Sequence, residues 1–205
     1  MVESEVILDE QMEAYASLVM RGSNNAFAGL SQMMGREVKA DFFSVKQVAI
    51  SEIPDIVGGR ESLAVAVYLE VTGCARGHVF LIYQPQMALE LVDLLLGDPP
   101  GTAQSLDEME ESALAEMGNI MASFFLNVLA DATNLDLKPS PPAVMTDMAG
   151  AILDVALADI MQEGGETALA VEARFSTDSH DITGTFLVLP TPELLRALLN
   201  NRRES

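Results

Sequence analysis

Two polar side chains, Glu116 and Asn119, lie three residues apart in the stretch EMGNIM, in the middle of an apolar, helix-like segment. Residues at this spacing project from one face of an α-helix, one turn apart. A carboxylate accepts hydrogen bonds and pairs with cations, whereas a carboxamide both donates and accepts. Such groups can serve recognition or catalysis, but the same spacing also fits a helix face that simply meets the solvent.

The element that must position this pair is a predicted helix over residues 106–131. Ser105 and Glu108 form a capping-box pair at its start, and Asn134 followed by three prolines ends it. An apolar seam recurs every three or four residues, at Leu114, Met117, Met121, Phe124 and Val128. A polar stripe runs beside the seam, at Ser112, Glu116, Asn119, Ser123 and Asn127. Gly118 has no side chain, so we expect another backbone to approach the helix there.

The rest of the chain gives the same order of elements twice. The first half is predicted to contain a helix (9–31), a strand (38–50), an antiparallel pair (62–71 and 77–83) that turns at Thr72-Gly73, and a short helix (86–96). After the Pro/Gly connector GDPPGTAQ and the helix 106–131, the second half is predicted to contain a helix (148–161), a strand pair (167–175 and 182–189) and a terminal helix (192–202).

An internal duplication accounts for this order. At a constant offset of 99 residues, Gly35 falls on Asn134 and Val38 on Leu137. Later in each half, VFLIYQP is echoed by TFLVLPTP with about one residue of slip within the match. We predict an α/β (α+β) fold with pseudo-twofold symmetry, in which two long helices and several shorter ones cover one mostly antiparallel sheet. Residues 1–205 should form a single domain of two repeats, about 9–97 and 105–202, because each half alone would have a very small core.

Charge and composition argue against several classes of function. The chain has 11 basic and 31 acidic residues, a formal net charge of −20, which repels the phosphates of nucleic acids and of anionic lipids. The N-terminal MVESEVILDE lacks the features of a signal peptide, and no uninterrupted apolar run approaches the roughly 18 residues that span a bilayer. We therefore expect a cytoplasmic protein with neither nucleic acid nor membrane as a partner.

The distribution of the acids indicates solvation in high salt. They are spread along the chain and form no single tail, although an ordinary acidic bacterial protein could have the same composition. If the chain is adapted to high salt, its melting temperature should be higher in molar potassium chloride than in dilute buffer. A thermal melt that shows no stabilisation by the salt would remove this interpretation.

No metal or nucleotide site is predicted. Cys74 is the only cysteine and His78 and His180 are the only histidines, whereas a zinc site needs three or four ligands. The glycines in TGCARG and VGGRE match no phosphate-binding loop. Both histidines are expected in loops or at strand ends.

Residues 106–131, LDEMEESALAEMGNIMASFFLNVLAD, resemble the second signature helix of the CheC family, chemotaxis phosphatases that dephosphorylate the response regulator CheY. The family pattern is an acidic residue followed three positions later by asparagine, within E-h-G-N-I, where h is apolar; here it spans residues 116–120. The resemblance continues through LKPSPPAVMTDM and includes NNAFAGLSQMMGREV and VKQVAISEI in the first half. CheX phosphatases and the CheC-like domains of flagellar switch proteins share the fold.

This resemblance implies an enzyme of two-component signalling in which Glu116 and Asn119 are the catalytic residues. Asn119 would orient and polarise the water that attacks the aspartyl phosphate of CheY, and Glu116 would pair with the lysine of the regulator's phosphorylation pocket. An acyl phosphate is already activated, so a water positioned in line supplies much of the acceleration. The chain would need no cofactor or metal of its own, because Mg²⁺ would come with the regulator.

The resemblance also implies that only one face is functional. Members with two sites carry the same pair on the first helix, but Glu116 corresponds to Ser17 and Asn119 to Met20, and neither residue can take the required role. This loss leaves open an alternative, a non-catalytic adaptor that binds CheY, the receptor deamidase CheD or a flagellar-motor component. Residues 144–154 resemble the region where some members dock CheD, although a plain amphipathic helix is the simpler interpretation.

Overall fold

A seven-stranded antiparallel sheet forms the centre of the structure, a computed structural model that describes residues 9–177 and 180–201. Its strands are β1 (Val38–Ala49), β2 (Leu63–Gly73), β3 (Gly77–Tyr83), β4 (Leu137–Pro139), β5 (Ala143–Met148), β6 (Thr167–Thr177) and β7 (His180–Pro190). They lie in the order β1-β6-β7-β3-β2-β4, and β5 follows β4 along the same edge of β2.

Helices cover both faces of this sheet. They are α1 (Asp9–Met34), α2 (Ile53–Ile56), α3 (Pro85–Leu96), α4 (Glu108–Thr133), α5 (Ala149–Gln162) and α6 (Pro192–Asn200). The two long helices, α1 and α4, pack on each other and on one face, whereas α2 and α5 cover part of the other. The predicted fold, one antiparallel sheet covered by two long helices and shorter ones, is confirmed.

Two hydrophobic cores result, one on each side of the sheet. Successive side chains of a strand point to opposite faces, so Val65 and Val67 of β2 join the core under α1 and α4, while Ala64 and Ala66 join the core under α5. Strands buried on both faces have near-continuous apolar sequences. This explains why β3 is buried along its whole length.

The two halves of the chain exchange strands across the sheet. β1 of the first half pairs with β6 of the second, and β4 and β5 of the second half pair with β2 of the first. The pair Ala49↔Thr167 at one edge corresponds to Met148↔Leu63 at the other, and Ala49 and Met148 are separated by the offset of 99 residues. Each half therefore depends on the other for its sheet pairing.

The two long helices follow the same offset. Asn25 of α1 donates a hydrogen bond from Nδ2 to the carbonyl oxygen of Phe124 in α4, 99 residues away, at 2.8 Å. Gly35 and Asn134 end the two helices in the left-handed conformation, with φ of 63° and 57°. Asparagine is one of the few residues other than glycine that adopts this conformation readily, so the two caps are equivalent in conformation.

Several element boundaries differ from the prediction. α1 continues to Met34, and the connection between β2 and β3 is residues 74–76, because β2 itself runs through Thr72 and Gly73. α2, β4 and β5 were not predicted at all. β4 is three residues long and ends in Pro139, which lacks a backbone N–H. The strand is defined by its pairing with β2, so the sequence around it gives no local signal for it.

α4 is long and apolar enough to cross a bilayer, judged by length and composition alone, and within the described ranges no other helix is. The prediction that no segment approaches the length needed to span a bilayer does not hold for α4, because that prediction considered only uninterrupted apolar runs. Core helices of soluble proteins pass the same test, and α4 packs against α1 and β2.

His78 is the second residue of β3 and is fully buried, so of the two predicted settings, a loop or a strand end, it has the second. Its Nδ1 lies 3.0 Å from the hydroxyl oxygen of Tyr68, and its Nε2 lies 3.7 Å from Oδ2 of Asp159 in α5. Burial lowers the pKa of His78 to about 4, an effect that the Asp159 carboxylate opposes and the Arg76 guanidinium reinforces. The side chain of His180, the other histidine, lies outside the described residues.

Acid should therefore destabilise the fold through His78. The unfolded chain binds a proton at this residue near pH 6.5, whereas the folded chain keeps it neutral down to about pH 4, so the free energy of unfolding falls as the pH drops through this interval. At about pH 4.5 the loss from this residue is about 2–3 kcal/mol. Urea unfolding at about pH 7.5 and pH 4.5 should show a smaller pH dependence for His78→Phe than for the wild type; equal dependence would contradict the assignment.

Candidate functional site

Glu116 and Asn119 lie side by side on an open groove between α4 and residues 139–142. The Glu116 side chain is exposed and that of Asn119 is half-buried. The groove has a volume of about 440 Å³ and is lined by Ser112, Ala115, Glu116, Asn119, Pro139, Ser140, Pro141 and Pro142. The structure thus brings the two predicted site residues together and adds a second wall.

α4 begins and ends at defined caps. The capping box is formed by Asp107 and Glu110, and the Asp107 N–H donates to Oε2 of Glu110 at 3.2 Å. The predicted capping box, Ser105 with Glu108, was wrong, because the actual box begins two residues later. The hydroxyl of Ser105 instead donates a hydrogen bond to Oδ1 of Asp107 at 3.0 Å. A helix fixed at its first turn holds the side chains of the following turns in a constant direction.

Packing of α4 determines which face remains outside. A Cβ atom on Gly118 would lie 2.5 Å from Cγ1 of Val67 and 3.2 Å from its Cβ, so the helix sits directly on β2 at this point. The expectation of a close backbone was wrong: a valine side chain of the sheet occupies the space. Because Met117 and Gly118 face inward, Glu116 and Asn119 lie on the side of the helix that borders the groove.

The buried face of α4 is wider than the predicted seam. Leu114, Met117 and Met121 are buried as predicted. Phe124 and Val128 are only half-buried, and the residues next to them, Phe125 and Leu129, are fully buried instead. The helix packs against the sheet and against α1 at once. A prediction that assumes a single packing surface on the helix therefore misses residues that face the second surface.

The second wall of the groove is attached firmly to the sheet. Ser140 donates its N–H to the carbonyl oxygen of Glu70 at 2.8 Å and accepts the Glu70 N–H on its hydroxyl oxygen at 2.9 Å. The same hydroxyl donates to the carbonyl oxygen of Pro141 at 3.0 Å. The prolines on either side have fixed φ angles, so the wall is stiff. The three closely spaced prolines were the sequence signal for it, but they were interpreted only as the end of the preceding helix.

Both site side chains are available to a partner. In the part of the chain that the structure describes, neither Glu116 nor Asn119 has a side-chain hydrogen bond or ion pair. The carboxylate can receive a cation and the carboxamide can donate to and accept from a water molecule. Nor does any group of three or more His, Cys, Asp and Glu side chains among the described residues have the arrangement of a metal site.

The corresponding face of α1 lacks both parts of this site. Ser17 is exposed and Met20 is 43% exposed, so a hydroxyl and a thioether stand where α4 presents its acid and amide. The residues that correspond to the proline wall, 40–43, remain within β1, which has only a register shift between Ala40 and Phe42. The first face therefore differs in its backbone as well as in its side chains.

Comparison with known proteins identifies relatives of this chain by sequence. The model of the CheC-like family matches residues 109–146, which include most of α4, the proline wall and most of β5. The chain is 31% identical over 176 residues to the CheY-P phosphatase CheC of Bacillus subtilis, covering 85% of this chain and 84% of that protein. It is 19% identical over 191 residues to the CheC1 protein of Halobacterium salinarum, covering 93% and 95%.

Solved structures show the same fold at lower sequence identity. FliY of Thermotoga maritima superposes with a TM-score of 0.73 at 17% identity, covering 94% of this chain and 96% of that chain. The FliM middle domain of H. pylori superposes with a TM-score of 0.61 at 14% identity, covering 95% and 99%. CheX of Desulfovibrio desulfuricans superposes with a TM-score of 0.56 at 15% identity, covering 84% and 99%.

Proposed function

Because the chain belongs to the CheC-like family, we propose that it is a chemotaxis phosphatase that hydrolyses the aspartyl phosphate of phosphorylated CheY. The observation that carries the proposal is the groove itself, where an acid and an amide without partners among the described residues lie next to each other. The identity of 31% to a CheY-P phosphatase over most of both chains gives the reaction. We place the protein in the cytoplasm with its regulator.

The two side chains take different roles in this proposal because they lie at different depths. Asn119 is half-buried, where solvent is partly excluded and an amide holds a single water in a fixed direction. That water attacks phosphorus, the bond between phosphorus and the aspartate oxygen breaks, and the products are inorganic phosphate and a free carboxylate. Glu116 is exposed at the rim, where it can meet the lysine of the regulator's pocket.

Positioning can account for most of the catalysis. The acyl phosphate supplies a good leaving group, so an in-line water is the main requirement and no covalent nucleophile is needed. The divalent cation belongs to the regulator in this mechanism, and the chain contributes only Glu116 and Asn119. We propose one active face per chain, because α1 lacks both the pair and the wall.

The decisive experiment measures phosphate release from phosphorylated CheY with and without the protein. Acceleration by the wild type, with loss in Asn119→Ala, is the expected result. If the regulator binds and phosphate release is not accelerated, the phosphatase proposal is wrong and the adaptor alternative is correct.

The adaptor alternative has one structural feature in its favour. α5 presents a mainly apolar surface on the side of the sheet opposite to α4, made of Ala151, Asp154, Val155 and Ala158. A helix face of this kind can dock a second protein while the groove remains free. We propose it as the site at which CheD would bind, and co-purification with CheD after Val155→Asp would test this assignment.

A further inference from the structure

We propose that the docking surface for the phosphorylated regulator continues along α4 beyond the groove and ends on Met109, which acts as an apolar anchor. This inference rests on the proposed function and adds a residue that determines affinity rather than chemistry. It concerns the α4 ridge, which we define as Met109, Ser112, Glu116, Asn119, Ser123 and Asn127, all of them exposed or half-buried.

Helix geometry places Met109 in line with the site. Met109 and Glu116 are seven residues apart, which is about two turns, about 10 Å along the axis and about 20° in direction. Ser112, between them, lines the groove. A protein seated over Glu116 and Asn119 would therefore reach Met109 by continuing along the same face of the helix.

Exposure of one apolar side chain is common and by itself means little. Met109 differs in its setting: it is 62% exposed and is the one apolar member of an otherwise polar ridge. It also lies in the first turn of α4, which the Asp107–Glu110 capping box holds in place. The backbone of Met109 is therefore fixed before binding, and only its side chain loses conformational freedom when a partner covers it.

Charge around Met109 indicates the chemistry of the surface that covers it. Glu108 and Glu116 are exposed on the same side of the helix, so the thioether lies within an acidic rim. Apolar anchors surrounded by polar groups are the usual arrangement of binding hot spots. The matching surface of the regulator is a small apolar hollow bordered by lysine or arginine, continuous with the pocket that holds the phosphorylated aspartate.

The test compares two methionines of equal exposure. Met109 on α4 and Met161 on α5 are both 62% exposed, and the second lies away from the groove. Initial rates of phosphate release are measured at increasing concentrations of phosphorylated regulator for the wild type, Met109→Ala, Met109→Leu and Met161→Ala. We expect Met109→Ala to raise KM by about tenfold with kcat nearly unchanged, because a buried methionine side chain is lost from the complex.

The other two variants should behave like the wild type, since leucine keeps the apolar contact and Met161 makes none. Alanine is the best helix former, so Met109→Ala should not lower the melting temperature. An unchanged KM in Met109→Ala, or an equal rise in Met161→Ala, would overturn the anchor.

A binding measurement separates this inference from the proposed function. The regulator is loaded with beryllium fluoride, a stable substitute for the phosphoryl group, and its affinity for each variant is measured by titration. A wild type that binds without hydrolysing phosphate would refute the phosphatase proposal, while about tenfold weaker binding by Met109→Ala would still support the anchor. Equal affinity of Met109→Ala and wild type would overturn the anchor even if hydrolysis is fast.

Discussion

Replacing Asn119 with alanine is expected to lower kcat for hydrolysis of phosphorylated CheY by about 10²- to 10³-fold. The Asn119 amide can both donate to and accept from the attacking water, and a methyl group does neither. Binding should persist, because Glu116 and the proline wall remain. Stability should also persist, since Asn119 makes no side-chain hydrogen bond within the described residues.

The matched control for this variant is Met20→Ala on α1. Met20 occupies the corresponding position on the first helix and is 43% exposed, so its truncation removes a surface side chain of the same helix pair. Single-turnover phosphate release should be almost unchanged in Met20→Ala. Equal losses in the two variants would contradict the claim that one face is active.

Reversing the charge of Glu116 with lysine is expected to lower kcat/KM by more than about 100-fold. The substituted ammonium would face the lysine of the regulator's pocket, and juxtaposed like charges in an interface cost several kcal/mol. Glu116 is exposed and forms no ion pair in the described part of the protein, so the fold should tolerate the change. Glu116→Gln, which removes the charge without reversing it, should have a smaller effect.

Asp131→Lys is the control for net charge. Asp131 is exposed near the C-terminus of α4, where a cation interacts favourably with the helix dipole, and its reversal changes the total charge by the same amount. Steady-state kinetics at two ionic strengths should show a large defect in Glu116→Lys alone. Equal defects would mean that the regulator responds to overall charge and not to a contact with Glu116.

Local patterns predicted most of the fold. Both long helices, both strand pairs and the helix at α5 follow from periodicity and from caps, because these depend on residues a few positions apart. Three elements were missed: the one-turn helix α2, and β4 and β5, which are edge strands whose hydrogen bonds come from β2, far away in the chain. A proline-containing edge strand has no local signal strong enough to indicate such pairing.

Part of the candidate site was likewise predictable from local patterns, and part was not. That Glu116 and Asn119 share a helix face was predictable, and so was the absence of this pair from the first helix. The capping box was displaced to Asp107 and Glu110, because several acidic residues compete at that terminus and only the backbone conformation selects among them. The neighbour of Gly118 was also misjudged, since a valine side chain of the sheet and not a backbone occupies the space beside it.

By itself, the sequence determined the chemical groups of this protein and their direction on one helix, because the helical repeat is a property of neighbouring residues. Only the tertiary structure decided that these groups border a groove, since its second wall is held by hydrogen bonds between Ser140 and Glu70, 70 residues apart. The fold also removed that wall from the first half, where β1 pairs with β6 almost without interruption. Strand pairing and side-chain packing over such separations depend on the whole chain, so no local pattern could have predicted them.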